Sequence, residues 1–291
     1  MTRRLVLALA VPLLAATALA QQVTFKAGVD LVSVDVLVTA TGKPVAGLAV
    51  SDFEIRDNNV PQKIESISDG RTAETVTLRR IPLDVVLVFD VSGSMAGSKL
   101  EQLVDAGKGV LAKLRPGDRA ALVTFSQRTM IRQPLSSDIA VVARALDRLH
   151  ADGQTSLSDA LYTGLSLRRN SDTRSMLLLF SDGRDNTSWL SSKQVTQVAR
   201  ESDVVVYAVG LDTRVKDDMK ELTEETGGAV LVAQSAKDLK TLFERIVREM
   251  QARYVLNYYP SGVAQGGWHS IEVRVPGRRA DVVARRGYWR R

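Results

Sequence analysis

Leu83-Asp84-Val85-Val86-Leu87-Val88-Phe89-Asp90 decides how the rest of this chain is read. Between its two aspartates the stretch is unbroken apolar sequence without polar alternation, the pattern of a strand buried on both faces of a parallel sheet. Such a strand needs helices on either side. After a Ser/Gly turn, Leu100, Leu103, Val104, Gly107, Val110, Leu111 and Leu114 fall at helical spacing, and Pro116-Gly117 ends that helix. Ala120 to Phe125 is a second short apolar strand. Helices are expected over about 137–149 and 158–169, a strand over 175–180, and a helix capped by Ser191 or Ser192. A strand over 204–209, another over 229–232 and a final helix over 236–252 close the series. Strands alternating with helices in this way predict a doubly wound, Rossmann-like α/β domain with a mostly parallel sheet, placed at residues 81–250.

The texture differs on both flanks. Val32, Val34, Val36 and Val38 alternate with Ser33, Asp35, Leu37 and Thr39, as in a half-buried strand. Thr41-Gly42-Lys43-Pro44 reads as a turn, Phe53 and Ile55 alternate with charged neighbours, and Asp57-Asn58-Asn59 turns again. A third strand is expected over Gln62 to Ser68 and a polar linker from Asp69 to Arg80. After Gln251, Tyr254, Leu256 and Tyr258 share one face, Ile271, Val273 and Val275 another, and Val282 to Tyr288 reads as a last strand. Residues 21–80 and 251–291 are therefore expected to pair as a small β-rich companion, one antiparallel sheet or sandwich.

The first twenty residues have the layout of a secretory signal peptide: basic Met1-Thr2-Arg3-Arg4, apolar Leu5 to Ala16, and Ala18-Leu19-Ala20 before Gln21. As a membrane anchor the apolar run is short of the ~20 residues a bilayer needs, and Pro12 interrupts it. With cleavage before Gln21 the expected location is periplasmic or extracellular. The sequence contains no cysteine, which excludes disulfides, thiolate metal sites, cysteine nucleophiles and a lipid-anchored amino terminus. Net charge is +6, and Arg3 and Arg4 belong to the leader. The basic residues near the end, Arg274, Arg278, Arg279, Arg285, Arg286, Arg290 and Arg291, are read as a solvated strand face or an affinity for anionic surfaces, not as a nucleic-acid site.

In a doubly wound sheet, ligands bind beyond the carboxyl ends of the strands. Asp90-Val91-Ser92-Gly93-Ser94 and Asp182-Gly183 each follow a predicted buried strand, and Gly153-Gln154-Thr155-Ser156-Leu157 leads into a helix. These are hard oxygen donors without histidine, suited to Mg²⁺, Mn²⁺ or Ca²⁺ and poorly suited to zinc or copper. A structural role as turn and cap residues is the plain alternative for Asp90 to Ser94. Asp-x-Ser-x-Ser after a buried strand, a distant Thr in Gly-x-Thr-x-Leu, and a later Ser-Asp-Gly resemble the metal-ion-dependent adhesion site (MIDAS) of von Willebrand factor A (VWA) domains. The resemblance covers about residues 81–250 and implies a metal site of Asp90, Ser92, Ser94, Thr155 and Asp182. It further implies that the hydroxyls contact the ion, the aspartates often acting through water, and that an open position accepts an Asp or Glu from a protein partner. Asp52-Phe53 and Arg286-Gly287-Tyr288 resemble a bacterial family of secreted VWFA-related proteins.

Other chemistries fit less well. Gly93 to Lys99 fails as a phosphate-binding loop: the second glycine is at 97, and Leu100 stands where Ser or Thr is required. A phosphatase reading of Asp90 lacks a second carboxylate where the chain has Ser92, and no Gly-x-Ser-x-Gly elbow occurs. His150, ending a helix, and His269, after Gly266-Gly267, are both expected at the surface. Asp185 and Asn186, close after Asp182, are read as ordinary loop residues, with tuning of the site as the alternative, and Trp268, Tyr288 and Trp289 as packing for the terminal strands. The sequence thus points to a metal-dependent binding module rather than an enzyme, with a structural envelope protein as the alternative and a metal-dependent hydrolase behind it.

Overall fold

The structure, a computed structural model, describes residues 31–69, 80–168, 173–182, 185–211 and 213–290. The leader-like segment 1–20 with Gln21, most of the expected linker, Gly183 and Arg291 lie outside the described residues. The chain opens with β1 (Val32–Ala40), β2 (Lys43–Pro44), β3 (Glu54–Asp57), β4 (Val60–Gln62) and β5 (Ile64–Asp69). The central part runs β6 (Leu83–Asp90), α1 (Ser98–Leu111), β7 (Arg119–Phe125), β8 (Thr129–Ser136), α2 (Ile139–Leu146), α3 (Leu157–Ser166) and β9 (Arg174–Ser181). It continues through α4 (Ser192–Glu201), β10 (Val204–Gly210), α5 (Thr213–Glu225), β11 (Ala229–Val232) and α6 (Leu239–Gln251). The last strands are β12 (Tyr254–Tyr258), β13 (Gly267–Arg274), β14 (Asp281–Val283) and β15 (Gly287–Arg290).

Every residue of β6 is buried, as its unbroken apolar run requires. It lies between β7 and β9, parallel to both, in a sheet ordered β11-β10-β9-β6-β7-β8. Alternate side chains serve opposite layers. Val85, Leu87 and Phe89 pack under α1, α2 and α6, against Leu103, Val142 and Phe243 among others. Val86 and Val88 pack under α3, α4 and α5, against Leu161, Val195 and Met219. Burying each such side chain contributes about 1.5–3 kcal/mol, so the two layers supply most of the driving force for this part of the fold. Asp84, the polar member of the strand, is answered by the Arg119 guanidinium at 2.6 Å and the Thr173 hydroxyl at 2.9 Å.

Two elements differ from the sequence reading by being present at all. β8 is an exposed antiparallel edge strand containing Pro134, where a proline costs no internal ladder bond. α5 is strongly polar, and among its described side chains the buried apolar ones form a narrow stripe, Val215, Met219 and Leu222, with Thr223 and Glu225 buried beside it. The expected helix over 137–149 is shorter, Ile139–Leu146, because Asp138 caps it by accepting from the Ala140 amide at 3.0 Å.

The two ends of the chain pair with each other. β1 runs antiparallel to β12, Val34 opposite Leu256, in a sheet ordered β14-β1-β12-β5 with β2 beside β1. A second sheet, ordered β15-β13-β3-β4, shares a core with the first through Val36, Phe53, Ile55, Tyr258, Ile271 and Tyr288. The α/β domain therefore carries a small β-rich companion built from both flanks. The strand expected over Val282 to Tyr288 is instead broken into β14 and β15, which belong to different sheets. Its break is held by Arg285, which pairs with Asp203 and donates to the Gly287 carbonyl at 2.6 Å.

His269 is a correction to the surface position expected of it: it has no exposed area. It sits in β13 with Nδ1 2.7 Å from Asp57, itself fully buried, while the hydroxyls of Tyr258 and Tyr288 donate to Asp57 at 2.9 and 2.8 Å. Burial pushes both tyrosine hydroxyls well above their ordinary value, the neighbouring Asp57 carboxylate adds to this in each, and both stay neutral donors. Local polar sequence and a preceding Gly-Gly pair gave no sign of this network, because its members come from β3, β12, β13 and β15. His150 is exposed, four residues beyond the end of α2.

Gly287, at the start of β15, lies tightly against the neighbouring strand β13 of the same sheet. A Cβ there would stand 2.2 Å from the His269 carbonyl oxygen and 2.5 Å from the Trp268 ring. Gly287→Ala is expected to cost about 3 kcal/mol in urea unfolding, whereas Gly266→Ala, whose nearest neighbour would be 3.7 Å away, should stay within about 1 kcal/mol of the parent. Equal stabilities for the two variants would contradict this packing.

Candidate metal centre

The sheet order reverses at β6: the chain leaves it for β7 on one side and returns to β9 on the other. The carboxyl ends of β6 and β9 therefore border the crevice where doubly wound folds bind ligands. Phe89 is in register with Phe180, so Asp90 arrives beside Ser181 and Asp182. Asp90 has no exposed area. One of its oxygens accepts from the Ser92 amide at 2.8 Å and the other from the Ser181 hydroxyl at 2.7 Å. Burial raises the Asp90 carboxyl above its ordinary value, and these hydrogen bonds offset only part of that.

The loop after Asp90 is tied down on both sides. The Val91 amide donates to Phe125 O at 2.8 Å, and the Gly93 amide to Gly153 O at 2.9 Å. Ser92 Oγ lies 3.1 Å from Ser94 Oγ, which donates to Asp182 Oδ1 at 2.7 Å. Asp90, Ser92, Ser94 and Asp182 are thus linked atom to atom. Thr155 is buried on the facing loop, two residues beyond the Gly93–Gly153 bond. Its backbone is clamped: the amide donates to Asn186 Oδ1 at 3.0 Å and the carbonyl accepts from the Asn186 amide at 3.0 Å. Its hydroxyl takes no hydrogen bond among the described residues.

Several contributors were not singled out from sequence. Ser181 steadies Asp90, and Lys99 Nζ lies 2.6 Å from Asp182 Oδ2 and 3.0 Å from Ser94 O. Lys99 stands on the first turn of α1, and nothing in its local sequence marks it. Asp185 and Asn186, read as plain loop residues, are instead braces. Asp185 accepts from the Ser158 amide at 2.9 Å and the Ser188 amide at 3.1 Å. Burial pushes the Asp185 carboxyl up, but those bonds together hold it below its ordinary value. Asp159 accepts from the Trp189 and Leu190 amides at 3.1 and 3.0 Å, leaving the Trp189 side chain 96% exposed.

The donors suit a divalent cation by their chemistry: two buried carboxylates beside three hydroxyls, one of them without a partner among the described residues. Such a set is hard and partly neutral, as Mg²⁺ and its neighbours prefer. Among the described residues no three His, Asp or Glu side chains gather into another metal-binding group.

A doubly wound sheet with carboxylate and hydroxyl loops at its switch point defines a narrow class of α/β domain. The chain belongs to the von Willebrand factor type A domain family, which matches residues 84–245; domains of this family are typically metal-dependent protein-interaction modules. It is 27% identical over 181 residues to the uncharacterized protein sll0103 of Synechocystis sp., covering 59% of this chain and 42% of that one. Its fold is similar to that of a von Willebrand factor type A protein from Catenulispora acidiphila (TM-score 0.55, 13% identity, 82% of this chain and 74% of that one). It is also similar to proximal thread matrix protein 1 from the mussel byssus, solved with a zinc-occupied MIDAS motif (TM-score 0.53, 21% identity, 61% and 47%). The chain therefore spans less than half the length of the Synechocystis relative.

The two perturbed carboxylates have opposite effects on stability. Asp90, raised in the fold, lowers stability as pH rises from the ordinary carboxylate range (about 3.9) through its folded value. Asp185, lowered in the fold, contributes stability above about pH 3.9 that is lost as pH falls through its folded value. Asp90→Asn keeps an acceptor for the Ser92 amide and removes the buried charge. In EDTA it should melt above the parent at pH 7, the difference closing toward pH 3 in a calorimetric pH series. A variant melting below the parent at pH 7 would show that the charge is not the cost.

Proposed function

We propose that this protein is a metal-dependent binding module in which Asp90, Ser92, Ser94, Thr155 and Asp182 hold a divalent ion, Mg²⁺ foremost with Mn²⁺ or Ca²⁺ as alternatives. The ion accepts an Asp or Glu carboxylate from a protein partner. The observation that carries this reading is the cluster of buried Asp90 with Ser92, Ser94 and Asp182 at the sheet's switch point. Neutral hydroxyl oxygens around an ion leave it electrophilic, so an anionic group is favoured at an open position. The fully exposed Trp189, on the loop that also clamps Thr155, supports a recognition surface at this end of the sheet. The leader-like first twenty residues support action outside the cytoplasm.

Catalysis has less support, because among the described residues no general base stands beside the cluster other than the aspartates themselves. The Lys99–Asp182 ion pair favours a second reading, an envelope scaffold in which the site serves stability, since an internal ammonium already answers that carboxylate.

Calorimetric titration with Mg²⁺, Mn²⁺ and, because of the mussel protein, Zn²⁺ separates the two. We expect about one equivalent of Mg²⁺ or Mn²⁺ to bind, and Asp90→Ala to abolish it; titration heats unchanged in the variant would sink the assignment. Because Lys99 and an ion draw on the same carboxylate, Lys99→Met should tighten Mg²⁺ binding by about fivefold. A weakened affinity would instead make Lys99 part of the support for the site.

A further inference from the structure

Arginine on this protein is ordinarily answered by a carboxylate: Arg80 by Asp118, Arg119 by Asp84, Arg174 by Asp35, Arg245 by Glu249 and Arg286 by Glu224. Arg253 and Arg290 instead donate to a hydroxyl and to backbone carbonyls, and on one exposed face four arginines cluster without a carboxylate. Arg128 in the turn before β8, Arg132 in β8, and Arg144 and Arg148 in and just after α2 are all exposed. None of the four forms an ion pair among the described residues. The nearby carboxylates are engaged elsewhere: Asp138 caps α2, Asp147 pairs with Lys108, and Asp152 accepts from the Gly153 amide.

This face is continuous with the candidate metal centre. A cleft of about 290 Å³ is lined by Val91 and Asp152, whose backbones join the two loops of the centre at 2.8 Å, and by Arg128, Arg132 and His150. A second cleft of about 400 Å³ shares Arg132 and includes Arg144 and Arg148. Met130 and Ile131, between the first two arginines on the sheet's edge strand, are each 48% exposed. Arg132 Nε donates to the Thr124 hydroxyl at 2.9 Å, and none of the four guanidiniums meets a carboxylate among the described residues; beside apolar side chains they make a surface suited to carboxylates in a row.

The geometry points to a docking surface for an acidic protein segment: the partner that lodges one carboxylate at the metal centre lays a neighbouring Asp/Glu-rich flank along Arg128, Arg132, Arg144 and Arg148. This rests on the metal-centre reading for the anchor and adds the partner's chemistry. The metal supplies one strong contact, while the arginines add several weaker screened ones that select an acidic flank over a neutral one.

The test uses the full chain and two fluorescent peptides, one with a single Asp among Gly and Ser, the other with the same Asp followed by a run of Glu. Anisotropy titrations are run in Mg²⁺ and in EDTA, at low and moderate salt. The variants are Arg128→Gln/Arg132→Gln/Arg144→Gln/Arg148→Gln and Asp90→Ala, with Arg144→Gln/Arg148→Gln as a milder form should the fourfold variant fold poorly. In Mg²⁺ the acidic run should bind about tenfold tighter than the single-Asp peptide. The fourfold variant should lose that advantage while keeping its Mg²⁺ titration and its affinity for the single-Asp peptide. An advantage that persists in the arginine variants would overturn the surface and leave the metal centre standing. Arginine-dependent binding that ignores both EDTA and Asp90→Ala would overturn the anchor, and the joint proposal with it. A DNA duplex that outcompetes the acidic peptide without metal would identify a general polyanion surface and likewise overturn the assignment to a protein segment.

Discussion

Asp90 is a carboxylate with no exposed area, at the end of a strand whose other residues are buried in two apolar layers. A charge in that position is costly unless its surroundings answer it. The protein answers with the Ser92 amide and the Ser181 hydroxyl, but not fully, and the carboxyl remains raised. The β6–β9 register places this group at the switch point, and much of the nearby architecture braces the loops around it. Val91 is tied to β7, Gly93 to the loop of Thr155, and that loop to Asn186. A rigid core thus presents a set of polar loops that are braced by hydrogen bonds as well as by burial.

Lys99 and Asp185 show two ways of managing charge around such a centre. Lys99 brings an ammonium to Asp182 from the first turn of α1, so part of the local negative charge is balanced within the chain. Asp185 adds a carboxylate but spends it on the Ser158 and Ser188 amides, and so stabilises the start of α3 and the loop bearing Trp189. The arginines on β8 and α2 that meet no carboxylate then leave one side of the centre electropositive, while the amides of the Trp189 loop are held by the Asp159 carboxylate.

The β-rich companion is joined to the α/β domain by buried guanidiniums. Arg174, at the start of β9, pairs with Asp35 of β1 and donates to Met250 O at 2.8 Å. Arg253, almost wholly buried, donates to the Tyr207 hydroxyl at 2.9 Å and to Gly227 O at 2.5 Å. Planar guanidiniums with several donors suit this role, because each satisfies acceptors from more than one element. Inside the companion, Asp57 does the converse, gathering His269, Tyr258 and Tyr288 from three strands.

By itself the sequence determined what depends on periodicity and on short motifs. The unbroken run ending at Asp90, the helical spacing after it and the alternation of Val32 to Val38 were enough for a doubly wound domain with a β-rich companion, since apolar period is dictated by which faces are buried. Asp90, Ser92, Ser94, Thr155 and Asp182 could be named because each follows an element end within a recognisable motif. Elements held by context were not legible: β8 is an exposed edge, α5 shows a buried apolar stripe of only Val215, Met219 and Leu222 among its described side chains, and the segment at 282–290 breaks where Arg285 finds Asp203. The same holds for individual side chains. His269 is buried, Lys99 meets Asp182 across 83 residues, and Asn186 meets Thr155 across 31. Those contacts join residues far apart in the chain, and only closure of the sheets and packing of their loops brings the partners within hydrogen-bonding distance.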